Sequence, residues 1–180
     1  MNLTIRSLDH AEARRVLPAL SELLVDAVAN GASVNFMAGF TVKEADIYWT
    51  KQIVGLDEND RVWLVAEAED SIIGTVMCVF AQQPNQPFRA DISKMLVHSS
   101  QRRRGIGALL LQRIEEEALK VGKTLLVLDT GAGSAGDRLY TRMGWTAIGT
   151  IPGYAYTTDG RPEGATFFYK QLAPPPVWKG

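Results

Sequence analysis

The chain has 180 residues, 46% hydrophobic and 22% charged, which suits one domain with a sizeable core and is short for two. Its 19 Lys and Arg against 20 Asp and Glu leave a net charge of -1, too weak a field to hold nucleic acid or an anionic membrane. The lone Cys78 excludes an internal disulfide and points to a reducing compartment, and His10 and His98 lie near no second soft ligand, so no metal site is expected.

In chain order, Leu3 to Leu8 alternates as a strand. Asp9 and Glu12 have capping-box spacing and open a helix expected to run to Asn30, with Gly31 as its stop. Gly31 to Phe40 is small and partly apolar, unlike an ordinary polar loop. Thr41 and Glu44 form a second capping box, opening a helix through Gly55. Arg61–Glu67 and Ser71–Gln82 read as strands joined at Glu69-Asp70, and Cys78 inside the second reads as a small core hydrophobe. Trp49 and Trp63 read as core residues.

After a loop between Pro84 and Pro87, Phe88–Val97 forms a strand, and Ala108–Val121 an amphipathic helix. Thr124–Leu128 is nearly all apolar, as a central strand covered on both faces would be. Ser134 can cap a short helix reaching Met143-Gly144. Trp145–Ile151 and Ala165–Gln171 are the last strands, with a turn at Asp159-Gly160. Residues 1–172 therefore read as one domain with a mixed α/β sheet, and residues 173–180, with Pro174 to Pro176, as a disordered tail. No apolar run approaches about 20 residues and the first residues lack a signal-peptide core, so a cytoplasmic protein without a membrane partner is expected.

Between strand and helix stands Arg102-Arg103-Arg104-Gly105-Ile106-Gly107. Glycines let a phosphate approach backbone N–H groups, the helix start adds roughly half a positive charge, and arginines supply forked donors. The stretch reads as a diphosphate cradle. A dinucleotide fingerprint would need a third glycine where Leu110 stands. A Walker A loop ending at Gly122-Lys123-Thr124 would need glycine where Glu117 stands.

With Met95-Leu96-Val97 before the cradle and Leu139-Tyr140-Thr141-Arg142-Met143-Gly144-Trp145 after it, the chain resembles the GNAT superfamily of acetyl-CoA-dependent N-acetyltransferases. Gly31 to Val34, Leu128 to Thr130, Ala132 to Ser134, Pro152 to Tyr154 and Asp159 to Arg161 are similar to the tabtoxin-resistance branch. The resemblance implies a mostly antiparallel twisted sheet flanked by helices, with a central coenzyme A cleft and acetyl-CoA as co-substrate. It implies that Met95, Leu96 and Val97 hold the pantetheine arm. Arg102, Arg103, Arg104, Gly105, Ile106, Gly107 and Ala108 would hold the phosphates. The family often has asparagine where Gly133 stands, and neighbouring Ser134 is a candidate substitute contact.

Acetyl transfer to an amine needs a base for the amine, a polarised thioester and a proton for the thiolate. Asp91, placed by alternation on the face of Met95 and Val97, and Asp129, ending an apolar strand, are the candidate bases. A turn or cap residue is the plain alternative for Asp129, and an exposed strand acid for Asp91. Tyr140 is the candidate acid for the thiolate, with an aromatic core residue as its plain alternative. Cys78 lies in the wrong element for a covalent route. Gly31–Phe40 and Pro152–Arg161 should set specificity, and Arg161 or Lys94 could pair a substrate carboxylate. The expected acceptor is a small primary amine, amino-acid-like or a toxin or antibiotic, acetylated by a monomer or homodimer. A peptide or protein N-acetyltransferase and a non-catalytic acyl-CoA-binding module stand as alternatives.

Overall fold

The computed structural model describes residues 3–177. The strands are β1 (Leu3–Ser7), β2 (Arg61–Ala68), β3 (Ser71–Phe80), β4 (Arg89–Val97), β5 (Leu125–Gly131), β6 (Thr146–Tyr156) and β7 (Pro162–Gln171). The helices are α1 (His10–Arg15), α2 (Leu17–Ala29), α3 (Val42–Asp57), α4 (Ile106–Lys120) and α5 (Ala135–Arg142), with a 3-10 turn at Ser99–Gln101. Residues 178–180 of the expected tail lie outside the described residues. No helix among the described residues is long and apolar enough to cross a membrane.

The strand order is β1-β2-β3-β4-β5-β7-β6, antiparallel throughout except between β4 and β5. Helices cover both faces. Ile106, Leu110, Ile114 and Tyr140 of α4 and α5 pack with Val76, Ile92, Leu128 and Phe168. Leu20, Leu24, Trp49 and Ile53 of α2 and α3 pack with Trp63, Val65, Met77 and Leu96 on the other side. Trp49 and Trp63 are core residues, stacked 5.0 Å apart, with their indole N–H groups donating to Leu20 O and Thr75 Oγ1.

Both capping boxes form, Asp9 with Glu12 and Thr41 with Glu44. The single helix expected from Asp9 to Asn30 is instead two, broken at Val16. Pro18 lacks an N–H and its ring collides with the carbonyl four residues back, so the first helix stops and a second starts with proline in its first turn.

Two irregularities shape the middle of the sheet. β4 and β5 pair only at Arg89↔Leu125, Ala90↔Leu126 and Asp91↔Val127. Beyond Asp91, β5 follows β7 up to Gly131 while β4 runs on to Val97 without it, so the sheet opens between them. The second is a bulge: Met77 pairs with Ser93 and Thr75 with Leu96, leaving Val76 opposite both Lys94 and Met95. Lys94 takes φ +50° to absorb the extra residue.

Candidate active site

The arginine–glycine turn sits at the mouth of this opening. Asp26 of α2 fixes its approach, accepting from the backbone N–H of Ser99 at 2.7 Å and its hydroxyl at 2.6 Å. Arg103 and Gly105 adopt φ +62° and +82°. The helix begins at Ile106, two residues before the expected Ala108, because Ile106 is buried and anchors the first turn to the core. Leu109 N–H donates to Gly105 O at 3.1 Å, the start of the helical ladder, so the N–H groups of Ile106, Gly107 and Ala108 have no intrahelical acceptor.

The two glycines do different work. A Cβ on Gly105 would meet nothing within 4 Å, so that residue is there for its left-handed backbone. A Cβ on Gly107 would stand 3.2 Å from Leu139 Cδ2, so that residue lets α4 approach α5 closely. Arg102 Nε donates to Val97 O at 3.3 Å, and Arg104 donates to Gln101 Oε1 at 2.9 Å.

His98 N–H donates to Ile73 O at 2.9 Å, toward β3. Alternation then turns the N–H and C=O of Val97 to the opposite side, into the opening beside β5. The Val97 N–H and the first-turn N–H groups of α4 are left without strand or helix acceptors, while Val97 O accepts from Arg102 Nε. The same alternation turns the backbone of Leu96 back to Thr75 of β3 while its side chain is buried against α1–α3, so Leu96 presents neither to the opening.

The bulge corrects the expected placement of Asp91. Ala90 and Ile92 pack on the α4–α5 face, which puts Asp91 on the α1–α3 face. The extra residue inverts the alternation, so Met95 and Val97 pack toward α4–α5 while Leu96 turns to α1–α3. Asp91 therefore lies on the face opposite Met95 and Val97. Asp129 shares the α1–α3 face with Asp91, because Leu126 and Leu128 face α4. Asp91 is ion-paired with Arg89 at 3.1 Å, with its side chain half exposed.

Burial pushes the Asp129 carboxyl above its ordinary range, against the pull of Lys94 and with a further push from Asp91. Lys94 responds the other way: burial brings its ammonium down to about 8, opposed by Asp129. Asp91, Lys94 and Asp129 are thus one electrostatic group at the opening.

Tyr140 lies across the sheet, its ring 5.6 Å from Trp145 and 5.8 Å from Phe168. It is buried in the α4–α5 core, as its plain reading had it, yet it also senses Asp129. Burial first, then the Asp129 charge, push its hydroxyl well above 10, so it keeps its proton at neutral pH. Ser134 caps α5, accepting from Asp137 N–H at 3.1 Å, and lies 3.3 Å from Thr130 Oγ1. Cys78 is fully buried and its thiol is pushed up to about 12, which fits a core residue.

The two expected specificity segments meet. Ala38 N–H donates to Thr158 O at 2.9 Å, and Lys94 Nζ donates to Val34 O at 3.2 Å. Phe36 packs at a tilt against Phe40 at 4.1 Å and meets Tyr48 edge-on at 5.2 Å, while Tyr154 meets Phe167 edge-on. Residues 31–40 are thereby held as a roof over the α1–α3 face of the opening. Tyr48 and Phe167 were missed from sequence, where each is only one more aromatic at a core-like spacing. Their cue is tertiary: Tyr48 meets Lys94, and Phe167 pairs with Asp129.

The family model described as the acetyltransferase (GNAT) family matches residues 25–145. The fold is similar to an N-acetyltransferase from Staphylococcus aureus Mu50, with TM-score 0.79, 24% identity, and 96% of this chain and 100% of that one covered. It is similar to a ribosomal-protein-alanine N-acetyltransferase from Brucella melitensis, with TM-score 0.76, 25% identity, and 94% and 99% covered. It is also similar to a GNAT superfamily phosphinothricin acetyltransferase from Sinorhizobium meliloti in complex with acetyl-CoA, with TM-score 0.76, 19% identity, and 96% and 89% covered.

Proposed function

The chain belongs to the acetyltransferase (GNAT) family, and on that premise we propose that it moves the acetyl group of acetyl-CoA to a primary amine of a small molecule. One observation carries this reading. The gap between β4 and β5 has helix-start N–H groups without intrahelical acceptors on one face and an acid–lysine–acid group beneath residues 31–40 on the other. A donor threaded from the α4 side would present its thioester at the gap, where an amine waiting on the α1–α3 side can reach it.

The first turn of α4 and Arg102, Arg103 and Arg104 hold phosphate, and the edge of β4 at Met95 and Val97 holds the amides of the pantetheine arm. Asp129, with its raised affinity for a proton, takes the proton of the acceptor ammonium, directly or through water. Asp91 helps hold that ammonium. Tyr140, kept protonated by its surroundings, supplies the proton to the departing thiolate. With Cys78 buried in the core, direct transfer between the two bound substrates is the route the residues support.

The roof of residues 31–40 favours a compact acceptor over a peptide in an open groove, in keeping with the likeness to the tabtoxin-resistance branch. The test is a screen of acetyl-CoA consumption against free amino acids, aminoglycosides, polyamines and short peptides. We expect turnover with free small amines. Turnover with peptides alone would overturn the small-molecule acceptor, and coenzyme A binding without any turnover would overturn the enzyme reading.

A further inference from the structure

Lys94 stands out among the groups at the opening. It occupies a left-handed backbone position, φ +50°, which a lysine enters only at a cost of roughly 1 kcal/mol or more. Its side chain then runs into the α1–α3 side of the opening, under the roof. The ammonium gives one hydrogen bond to Val34 O and lies 5.5 Å from the Phe36 ring centre and 5.3 Å from that of Tyr48. Those contacts hold the cation in place without neutralising it. No carboxylate among the described residues comes within 4 Å of it. A sheltered cation with N–H groups to spare calls for an anion, because buried charges are ordinarily paired.

The other candidate for such a partner is excluded by position. Arg161 is largely exposed and is engaged by Asp159 at 3.0 Å in its own hairpin turn.

Resting on the small-amine reading above, we propose that Lys94 is the anchor for an acidic group of the acceptor, a carboxylate or its phosphorus-acid analogue. The acceptor is then an amino acid or a close relative, bound as a zwitterion. Asp91 and Asp129 attract its ammonium and Lys94 its acid group, with the roof closing over both. The bulge gives the arrangement its polarity: one added residue in β4 puts the lysine between the two carboxylate-bearing strands and the roof.

The test compares matched acceptors, free amino acids against their carboxamides and decarboxylated amines, in the wild type, Lys94→Met and Lys94→Arg. The wild type should favour the acid-bearing member of each pair. Lys94→Met should lower kcat/KM for that member by roughly thirtyfold or more, mostly through KM. It should leave the uncharged member and acetyl-CoA affinity within about threefold, and Lys94→Arg should recover part of the loss. Equal loss on both members would make Lys94 merely a fastener of the roof and overturn the anchor. Equal use of both members by the wild type would overturn it too, with the small-amine reading intact. Turnover of neither member, with acetyl-CoA still bound, would overturn both.

Discussion

The backbone N–H of Ala38 donates to the carbonyl of Thr158 at 2.9 Å, joining residues 31–40 to the β6–β7 hairpin above the opening. Two segments 120 positions apart in sequence are thus tied together. Phe40 N–H donates to Met37 O at 3.2 Å and Gly39 has φ +88°, so Ala38 occupies the second position of a tight turn. Glycine in the third position marks the turn type that accepts proline in the second.

Ala38→Pro therefore keeps the turn while deleting the bridging donor. We expect KM for the acceptor to rise by about three- to tenfold, the worth of one hydrogen bond. Acetyl-CoA affinity and Tm should stay close to wild type, since proline also stiffens the unfolded chain. Isothermal titration and steady-state kinetics on the same preparations check this. An unchanged acceptor KM would mean that the roof stays shut without the bridge.

The arginine–glycine turn, both capping boxes and the Ser134 cap were legible in the sequence because each is decided within a few neighbouring residues. The position of Asp91 was not. Alternation along Phe88–Val97 assumes an unbroken pleat, and the bulge at Lys94 and Met95 is set by which residues of β3 they face. The only local trace of it is the polar pair Ser93-Lys94 between Ile92 and the apolar run Met95-Leu96-Val97, which breaks strict alternation. The opening of the sheet was equally hidden, since it depends on where β5 leaves β4 for β7. Asp129 could be picked out as the acid after the apolar run, but it does not end the strand, since pairing with β7 carries β5 on to Gly131, and its coupling to Lys94 and Tyr140 appears only in three dimensions.

That coupling predicts a pH signature. Asp129 binds its proton more tightly in the folded than in the unfolded chain. The stability this lends is fully present below the ordinary carboxylate pKa and is lost as pH rises through the raised one. Asp129→Asn, which cannot ionise, should melt above wild type at neutral pH and converge with it near pH 3. Its kcat/KM should fall by about a hundredfold and lose the ascending acid limb that the wild type shows. Calorimetry from pH 3 to 8 with matched kinetics decides it. A lower neutral Tm, or a retained acid limb, would remove Asp129 from the role of base.

Gly105 and Gly107 should separate on mutation. Gly105 needs a positive φ and has open space, whereas Gly107 has an ordinary backbone and a neighbour 3.2 Å away. Asparagine tolerates the left-handed region better than alanine, and valine worse than either. Acetyl-CoA affinity should thus rank Gly105 above Asn, Ala and Val in that order, with Ala costing roughly 1 kcal/mol of stability. At position 107 alanine should lower Tm through Leu139 before it touches affinity. The reverse ranking at position 105 would assign that glycine to packing.

Tyr140 poses the sharpest separation between a core side chain and a chemical one. Its ring fills the space between Trp145 and Phe168, and Tyr140→Phe preserves that ring. If Tyr140 served packing alone, the substitution would leave turnover unchanged. As proton donor to the thiolate it should cost about a hundredfold in kcat, with acetyl-CoA affinity and Tm near wild type. A thiol leaving group of lowered pKa needs that proton less, so an activated thioester should narrow the gap between wild type and Tyr140→Phe. The wild type should also show no alkaline loss of activity from this group below pH 10, because burial and the Asp129 charge hold its proton on. A Tyr140→Phe enzyme with wild-type kcat on acetyl-CoA would return the residue to the core and leave water to protonate the thiolate.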